Sequence, residues 1–326
     1  MADVFVTDAI PAAGLELLKK ELGGYTLNPT PGVLAKPALI AALKDRDGVL
    51  ATLNDRFDAE TIEAVRGRLK VIANFAVGYN NIDVAAATAA NIHVCNTPGV
   101  LTETTADLAW TLLFAAARRL GEAERLTRGG RWEGWRPMQL LGVDIHGRTL
   151  GIVGAGRIGL AVARRAAGFA MKLLYTARRP HPEFETLGAT RLPLAGLLAE
   201  ADFVSLHLPL TPETKHLIGA KELALMKPTA VLVNTSRGPV VKESALAAAL
   251  AERTLFAAGL DVYEQEPEID PALRRLENVV LAPHIGSATL ATREKMSRMA
   301  AENIVAVLTG ERPPNGVNSD ALAGGA

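Results

Sequence analysis

Thr149-Leu-Gly-Ile-Val-Gly-Ala-Gly-Arg-Ile-Gly159 decides how this chain folds. Residues 149–153 form an apolar run of strand length, and Gly154, Gly156 and Gly159 follow in the spacing G-x-G-x-x-G. Residues Ile158 to Ala167 continue as a helix. The glycine pattern is weak alone and gains meaning between a strand and a helix. The first glycine permits a tight turn, the second lets backbone approach a pyrophosphate, and the third lets helix and strand pack closely. The helix N-terminus, with Arg157 and Ile158, offers unpaired N–H groups to phosphates. A dinucleotide-binding unit is therefore expected here.

Working outward, Lys172 to Thr176 reads as the second strand. An acid should close it if the ribose 2′-OH is free. Near Ala177 there is none, and Thr176-Ala-Arg178-Arg179-Pro180 follows instead. A guanidinium pairs bidentately with a 2′-phosphate, so Arg178 and Arg179 point to NADPH, with NADH as the weaker alternative. Loop arginines also occur as plain solvated charges.

Further strands are expected at Phe203–His207, Ala230–Asn234, Ala257–Asp261 and Val279–Ala282, with a helix over Glu243–Ala251. Upstream, Val4–Val6, Gly48–Thr52 and Lys70–Asn74 read as strands. Helices are expected from Pro11 to Leu22 and from Asp58. Strands separated by helices imply parallel sheets with crossovers. Thr102 to Leu120 reads as one long apolar helix, Arg128 to Gly147 as an irregular loop, and Leu290 to Leu308 as a last helix. The segment Ser319 to Ala326 is expected to fray.

Composition bounds the function. A length of 326 residues fits two domains. Lys+Arg and Asp+Glu number 35 each, and this neutral balance argues against a dedicated nucleic-acid binder. The single cysteine, Cys95, cannot close an intrachain disulfide and fits a reducing cytosol. The histidines are scattered, with no zinc-ligand spacing, so no metal is expected. No targeting segment or membrane span is recognisable, and Leu108 to Ala117 is about half the length a span requires. A cytoplasmic enzyme is expected.

Three polar residues follow apolar strands in the second half: Arg237 after Val231–Asn234, Glu266 after Gly259–Asp261, and His284 after Leu281–Pro283. In an open parallel sheet, ligands bind beyond the carboxyl ends of the strands. Each residue alone has a plainer reading, as an ion-pair partner, a solvated acid or a helix cap. Together, beside a nucleotide motif, they point to catalysis.

The sequence resembles the D-isomer-specific 2-hydroxyacid dehydrogenase family, most closely its glyoxylate/hydroxypyruvate reductase branch. The likeness rests on Ala76-Val-Gly-Tyr-Asn-Asn-Ile-Asp83, Val94-Cys-Asn-Thr-Pro-Gly99, Glu103-Thr-Thr-Ala-Asp-Leu-Ala109, Gly154 to Gly159, His207-Leu-Pro-Leu-Thr-Pro-Glu-Thr214, Asn234-Thr-Ser-Arg-Gly238, Asp261 to Pro267 and Pro283-His-Ile-Gly-Ser287. These pieces cover nearly the whole chain, in family order.

The resemblance implies an α/β fold of two doubly wound parallel-sheet domains, a Rossmann domain inserted into a flavodoxin-like one. The substrate domain would hold residues 1–99 and 288–318, the NAD(P)-binding domain 100–287, and the tail 319–326. Crossings near Pro98-Gly99 and Ser287 would form a hinge. The family's roles map onto His284 as general acid, Glu266 as its partner and Arg237 as the substrate anchor. The N–H groups around Val77 and Gly78 would take the substrate carboxylate, with apolar Leu53 beside a small substrate. Thr105, Leu208, Pro209, Thr214, Thr235, Ser236 and Gly286 would line the cofactor cleft, and Asp261 would meet the nicotinamide carboxamide.

The implied reaction is reduction of glyoxylate or hydroxypyruvate. The alternatives are a D-lactate or D-3-phosphoglycerate dehydrogenase, or a nucleotide-sensing corepressor of the same fold. Trp135 matches the position that comes from the partner subunit in the reductase branch, so a homodimer is expected. Ala170 replaces the family's usual glycine and reads as a harmless packing change.

Overall fold

A computed structural model of the chain describes residues 2–30 and 32–323. The chain divides into two compact units. One runs up to Leu101 and resumes from Ser287, and the other spans Thr102–Gly286.

The first unit holds a five-stranded parallel sheet. Its strands are β1 (Val4–Val6), β2 (Thr26–Leu27), β3 (Gly48–Ala51), β4 (Val71–Asn74) and β5 (His93–Cys95), in the order β2-β1-β3-β4-β5. This is the flavodoxin-like order. β1, β3 and β4 are buried throughout, as their unbroken apolar runs require of strands covered on both faces. The two chain segments meet where the helices Ala12–Leu22 and Leu290–Leu308 pack together. Gly14 N–H donates to Ser297 Oγ at 3.0 Å, and Ser297 Oγ donates to Pro11 O at 2.6 Å. A Cβ on Gly14 would fall 2.3 Å from Ser297 O, so only glycine allows this approach.

Ser319–Ala323 is a short helix rather than a frayed end. Asn318 anchors it: its Oδ1 accepts the Val94 N–H at 2.8 Å, and its Nδ2 donates to Ile92 O at 2.9 Å. The segment thereby satisfies backbone groups along β5, which removes the freedom that fraying needs. Residues 324–326 of the expected tail lie outside the described residues.

The second unit holds a seven-stranded parallel sheet. Its strands are β6 (Thr149–Val153), β7 (Lys172–Thr176), β8 (Thr190–Arg191), β9 (Phe203–Leu206), β10 (Val231–Asn234), β11 (Ala257–Leu260) and β12 (Val279–Leu281). Their order is β12-β11-β10-β9-β6-β7-β8. Three strands on one side of β9 and three on the other give the Rossmann pattern with one added strand. The winding reverses between β6 and β9, so a crevice opens beyond their carboxyl ends.

The long apolar helix ends earlier than its composition implies. It spans Thr102–Ala117, and Arg119 then adopts φ 53° before a second helix, Leu120–Arg128. The left-handed residue breaks the hydrogen-bond ladder. Trp110 stacks on Phe169 with centroids 5.4 Å apart and donates Nε1–H to Val162 O at 3.0 Å, which seats the helix on the core. Ala170 has φ 49° and closes the turn before β7. The glycine usual there is a backbone matter, not one of packing, because this conformation disfavours any Cβ.

Candidate active site

The ends of β10, β11 and β12 carry the three polar residues singled out in the sequence, all within the second unit. Beyond β10, Asn234 organises its own loop. Its Oδ1 accepts from Ser236 N–H at 3.0 Å and Ser236 Oγ at 2.8 Å, and its Nδ2 donates to Arg237 O at 3.0 Å. Arg237 Nη1 donates to Ser236 O at 2.6 Å. Burial pulls the Arg237 pKa below its ordinary value, while the nearby Glu266 charge opposes that.

His284 and Glu266 meet directly, with Nδ1 and Oε2 2.7 Å apart. Glu266 Oε1 also accepts the Tyr263 N–H at 3.0 Å. Burial raises the Glu266 pKa, but the His284 hydrogen bond and charge, with Tyr263 and Arg237, outweigh it. The net shift is downward, so the carboxylate form prevails. With Nδ1 engaged, Nε2 is the ring nitrogen left to serve a reacting group.

Asp261 grips the loop that bears the histidine. Its Oδ1 accepts Ile285 N–H at 2.7 Å, and its Oδ2 accepts Gly286 N–H at 2.8 Å. Burial raises its pKa, opposed by these amides and by His284. Thr105 Oγ1 donates to Gly286 O at 3.1 Å, tying the same loop to the helix Thr102–Ala117. His284 itself sits at φ 54°. Such backbone strain in a non-glycine residue persists only where surrounding contacts over-determine it, as here.

The glycine motif forms a cradle at the end of β6. Gly154 has φ 104°, and a Cβ there would lie 2.5 Å from His207 O. A Cβ on Gly159 would lie 2.3 Å from Gly154 O, whereas one on Gly156 would meet nothing within 4 Å. The first and third glycines thus serve packing, and the second leaves open space. Gly156 caps the helix Arg157–Arg165, with Arg157 and Ile158 in its first turn. Thr235 Oγ1 is buried and has no hydrogen-bond partner among the described residues. An open cradle at a helix N-terminus and an orphaned hydroxyl nearby in the fold fit a dinucleotide. Ser236 lies beside it in sequence, its hydroxyl committed to Asn234. Thr214 Oγ1 donates to Pro209 O at 2.7 Å and so closes the loop that carries Leu208 and Pro209.

Arg178 and Arg179 are exposed just past β7. Sequence reading missed a third guanidinium there. Arg191, at the end of β8, donates to Ala177 O at 3.0 Å and Arg178 O at 3.1 Å. Nothing in its local sequence signals this, since strand pairing brings it over. His207 was likewise passed over as a side chain. Burial pulls its pKa down to about 3, so it is neutral, with Nε2 2.8 Å from Ser205 Oγ.

In the first unit, two loops bear the residues assigned to substrate. Leu53 is partly exposed after β3, and Val77 and Gly78 are partly exposed after β4. Asn81 Nδ2 donates to Thr52 O at 3.2 Å and Asp55 O at 3.0 Å, and Asn74 Nδ2 donates to Gly78 O at 2.8 Å. The asparagines also pair with each other, so the two loops are held as one piece. Trp135 lies in the irregular segment of the second unit and is 81% exposed.

Among the described residues, no cluster of His, Cys, Asp or Glu could hold a metal ion, and no helix is long and apolar enough to cross a membrane.

Residues 110–286 match the family described as D-isomer specific 2-hydroxyacid dehydrogenase, NAD binding domain. A glyoxylate reductase of Korarchaeum cryptofilum is 53% identical over 98% of this chain and 96% of that protein. A glyoxylate reductase structure from Paecilomyes thermophila is 34% identical with a TM-score of 0.86, covering 98% of this chain and 99% of that one. An NADPH-dependent glyoxylate/hydroxypyruvate reductase from Sinorhizobium meliloti, solved with NADP and malonate, is 35% identical with a TM-score of 0.85. That match covers 98% of this chain and 97% of the other.

Proposed function

The chain belongs to the D-isomer specific 2-hydroxyacid dehydrogenase family of NAD(P)-dependent oxidoreductases, and we propose that it is an NADPH-preferring reductase of small 2-keto acids. Glyoxylate would give glycolate, and hydroxypyruvate would give D-glycerate. The 2.7 Å contact of His284 with Glu266, beyond parallel strands that also present Arg237, carries this reading.

When bound, the reduced nicotinamide supplies the hydride that reaches the keto carbon. His284 donates a proton from Nε2 to the carbonyl oxygen. Glu266 fixes the ring through Nδ1 and favours the imidazolium. Arg237 takes the substrate carboxylate in its planar fork and polarises the carbonyl. Leu53, Val77 and Gly78 are the substrate-contacting residues of the first unit, and apolar Leu53 suits a substrate without a second charge. The Gly154–Gly159 cradle takes the pyrophosphate, while Arg178 and Arg179 take a 2′-phosphate. The strand-end position that bears an acid in NAD-selective folds is Ala177, which supports NADPH. The NADPH-dependent relative from Sinorhizobium meliloti supports the same choice.

We also assign the chain to a homodimer with Trp135 reaching the partner subunit. An indole 81% exposed on a monomer is a large apolar surface that an interface would cover. Sedimentation at micromolar concentration should show a dimer, and a monomer alone would refute it.

One NADPH-oxidation panel tests the activity. Glyoxylate and hydroxypyruvate should turn over faster than pyruvate and 3-phosphohydroxypyruvate. Turnover of none of the four would end the reductase reading.

A further inference from the structure

Glu243 is a buried carboxylate outside the catalytic trio. It opens the helix Glu243–Ala251, where Oε1 accepts the Glu264 N–H and Oε2 accepts the Asp270 N–H at 3.3 Å. Glu264 returns the contact: its Oε1 accepts the Glu243 N–H at 2.6 Å, and its Oε2 lies 3.0 Å from His216 Nε2. Two carboxylates thus exchange backbone amides. Glu266 lies between the two amides that Glu243 holds. The arginine loop presses on the same segment, since a Cβ on Gly238 would fall 1.8 Å from the Tyr263 carbonyl.

We propose that Glu243 is a positioning residue for the proton-donor pair. By holding the amides of Glu264 and Asp270, the two ends of the loop that carries Glu266, it fixes Glu266 Oε2 against His284 Nδ1. This rests on the reading of His284 and Glu266 as that pair.

A buried carboxylate is costly unless hydrogen bonds or an opposite charge compensate it. Burial raises the Glu243 pKa, against the opposing hydrogen bonds of the Glu264 and Asp270 amides. A neutral residue would avoid that cost, but here the two amides meet separate oxygens, Oε1 and Oε2. Only an acid supplies both. The charged groups around the assembly are Glu264 and Asp270 beside Glu243, His216 beyond Glu264, and Arg237 and Asp261 beside the pair.

The test uses Glu243→Gln in the full chain, with Glu243→Asp as the conservative variant and Glu266→Gln as reference. Glutamine keeps one acceptor, removes the buried charge and sets an NH2 against an amide donor. The measurements are kcat and KM for glyoxylate, NADPH affinity by fluorescence, the pH profile of kcat, and thermal unfolding. Glu243→Gln should lower kcat about tenfold, because small misplacements of a catalytic group are expensive. NADPH affinity should hold. The alkaline limb should move to lower pH, in the direction that Glu266→Gln moves it. Glu243→Asp, which keeps both oxygens, should fall between Glu243→Gln and wild type. Wild-type kcat and limb in Glu243→Gln, whatever the unfolding temperature, would mark Glu243 as scaffold only and overturn the proposal. If Glu266→Gln leaves kcat and the profile unmoved, the pair itself is misread and the proposal falls with it.

Discussion

His284 Nδ1 and Glu266 Oε2 stand 2.7 Å apart although 18 residues separate them in sequence. The contact engages Nδ1 and leaves Nε2 as the ring nitrogen that could serve a reacting group. His284→Ala should lower kcat by about 10²–10⁴, the usual worth of a positioned acid. NADPH affinity should persist. Near-wild-type kcat would exclude His284 as the donor.

Arg237 donates to Ser236 O, and Asn234 holds the Arg237 carbonyl. The guanidinium is therefore aimed by its own loop. Arg237→Lys keeps the charge but loses the fork. We expect kcat/KM for glyoxylate to drop about tenfold or more, a loss of roughly 1.4 kcal/mol of transition-state stabilisation. Unchanged kcat and KM would show that Arg237 does not touch substrate.

Arg178 and Arg179 should set the cofactor ratio. Replacing either with alanine should reduce the NADPH-to-NADH ratio of kcat/KM by about tenfold, in line with loss of a charge-assisted hydrogen bond. Arg191→Ala should lower the ratio too, because its guanidinium tethers the Ala177 and Arg178 carbonyls. An NADPH preference that survives the loss of both Arg178 and Arg179 would sink the assignment.

Ala170 occupies a left-handed conformation, with φ 49°. Ala170→Gly should stabilise the second unit by about 1 kcal/mol, the conformational penalty exceeding the entropy cost of glycine. Calorimetry should show a Tm rise of roughly 2–4 °C. A fall in Tm would mean that the alanine methyl contributes more through packing than its backbone costs.

His207 links stability to pH. Burial pulls its pKa down to about 3 from an ordinary 6.5. The unfolded chain therefore takes up the proton first as pH falls. The stability tied to neutral His207 is complete above about pH 6.5 and drains as pH falls towards 3. His207→Gln should flatten the dependence of Tm on pH across that window. An unaltered slope would show that other groups carry the acid sensitivity.

Much of the fold was legible because its signals are local. Val4–Val6, Lys172–Thr176 and Leu290–Leu308 took the spans their apolar patterns imply. The end of the long helix was not, because a left-handed Arg119 leaves no mark in the sequence. Nor was the helix at Ser319–Ala323, which Asn318 ties to a strand edge far away in sequence. In the site, Arg237, Glu266 and His284 stood out as polar residues after apolar runs. Asn234, Glu243 and Arg191 did not, since their work lies in which backbone atoms they reach.

The strand at 149–153, the glycine turn and the start of the helix after it are written in the local sequence, and with them the nucleotide-binding unit. Glycine spacing and apolar periodicity act over a few residues, so they can be read without the fold. That Glu243 bonds the amides on either side of Glu266, that Asp261 grips the amides after His284, and that Gly14 admits Ser297 depend on the assembled fold. Those partners are set by strand order and loop closure. Both depend on how the whole chain buries its apolar surface, and no local spacing records that.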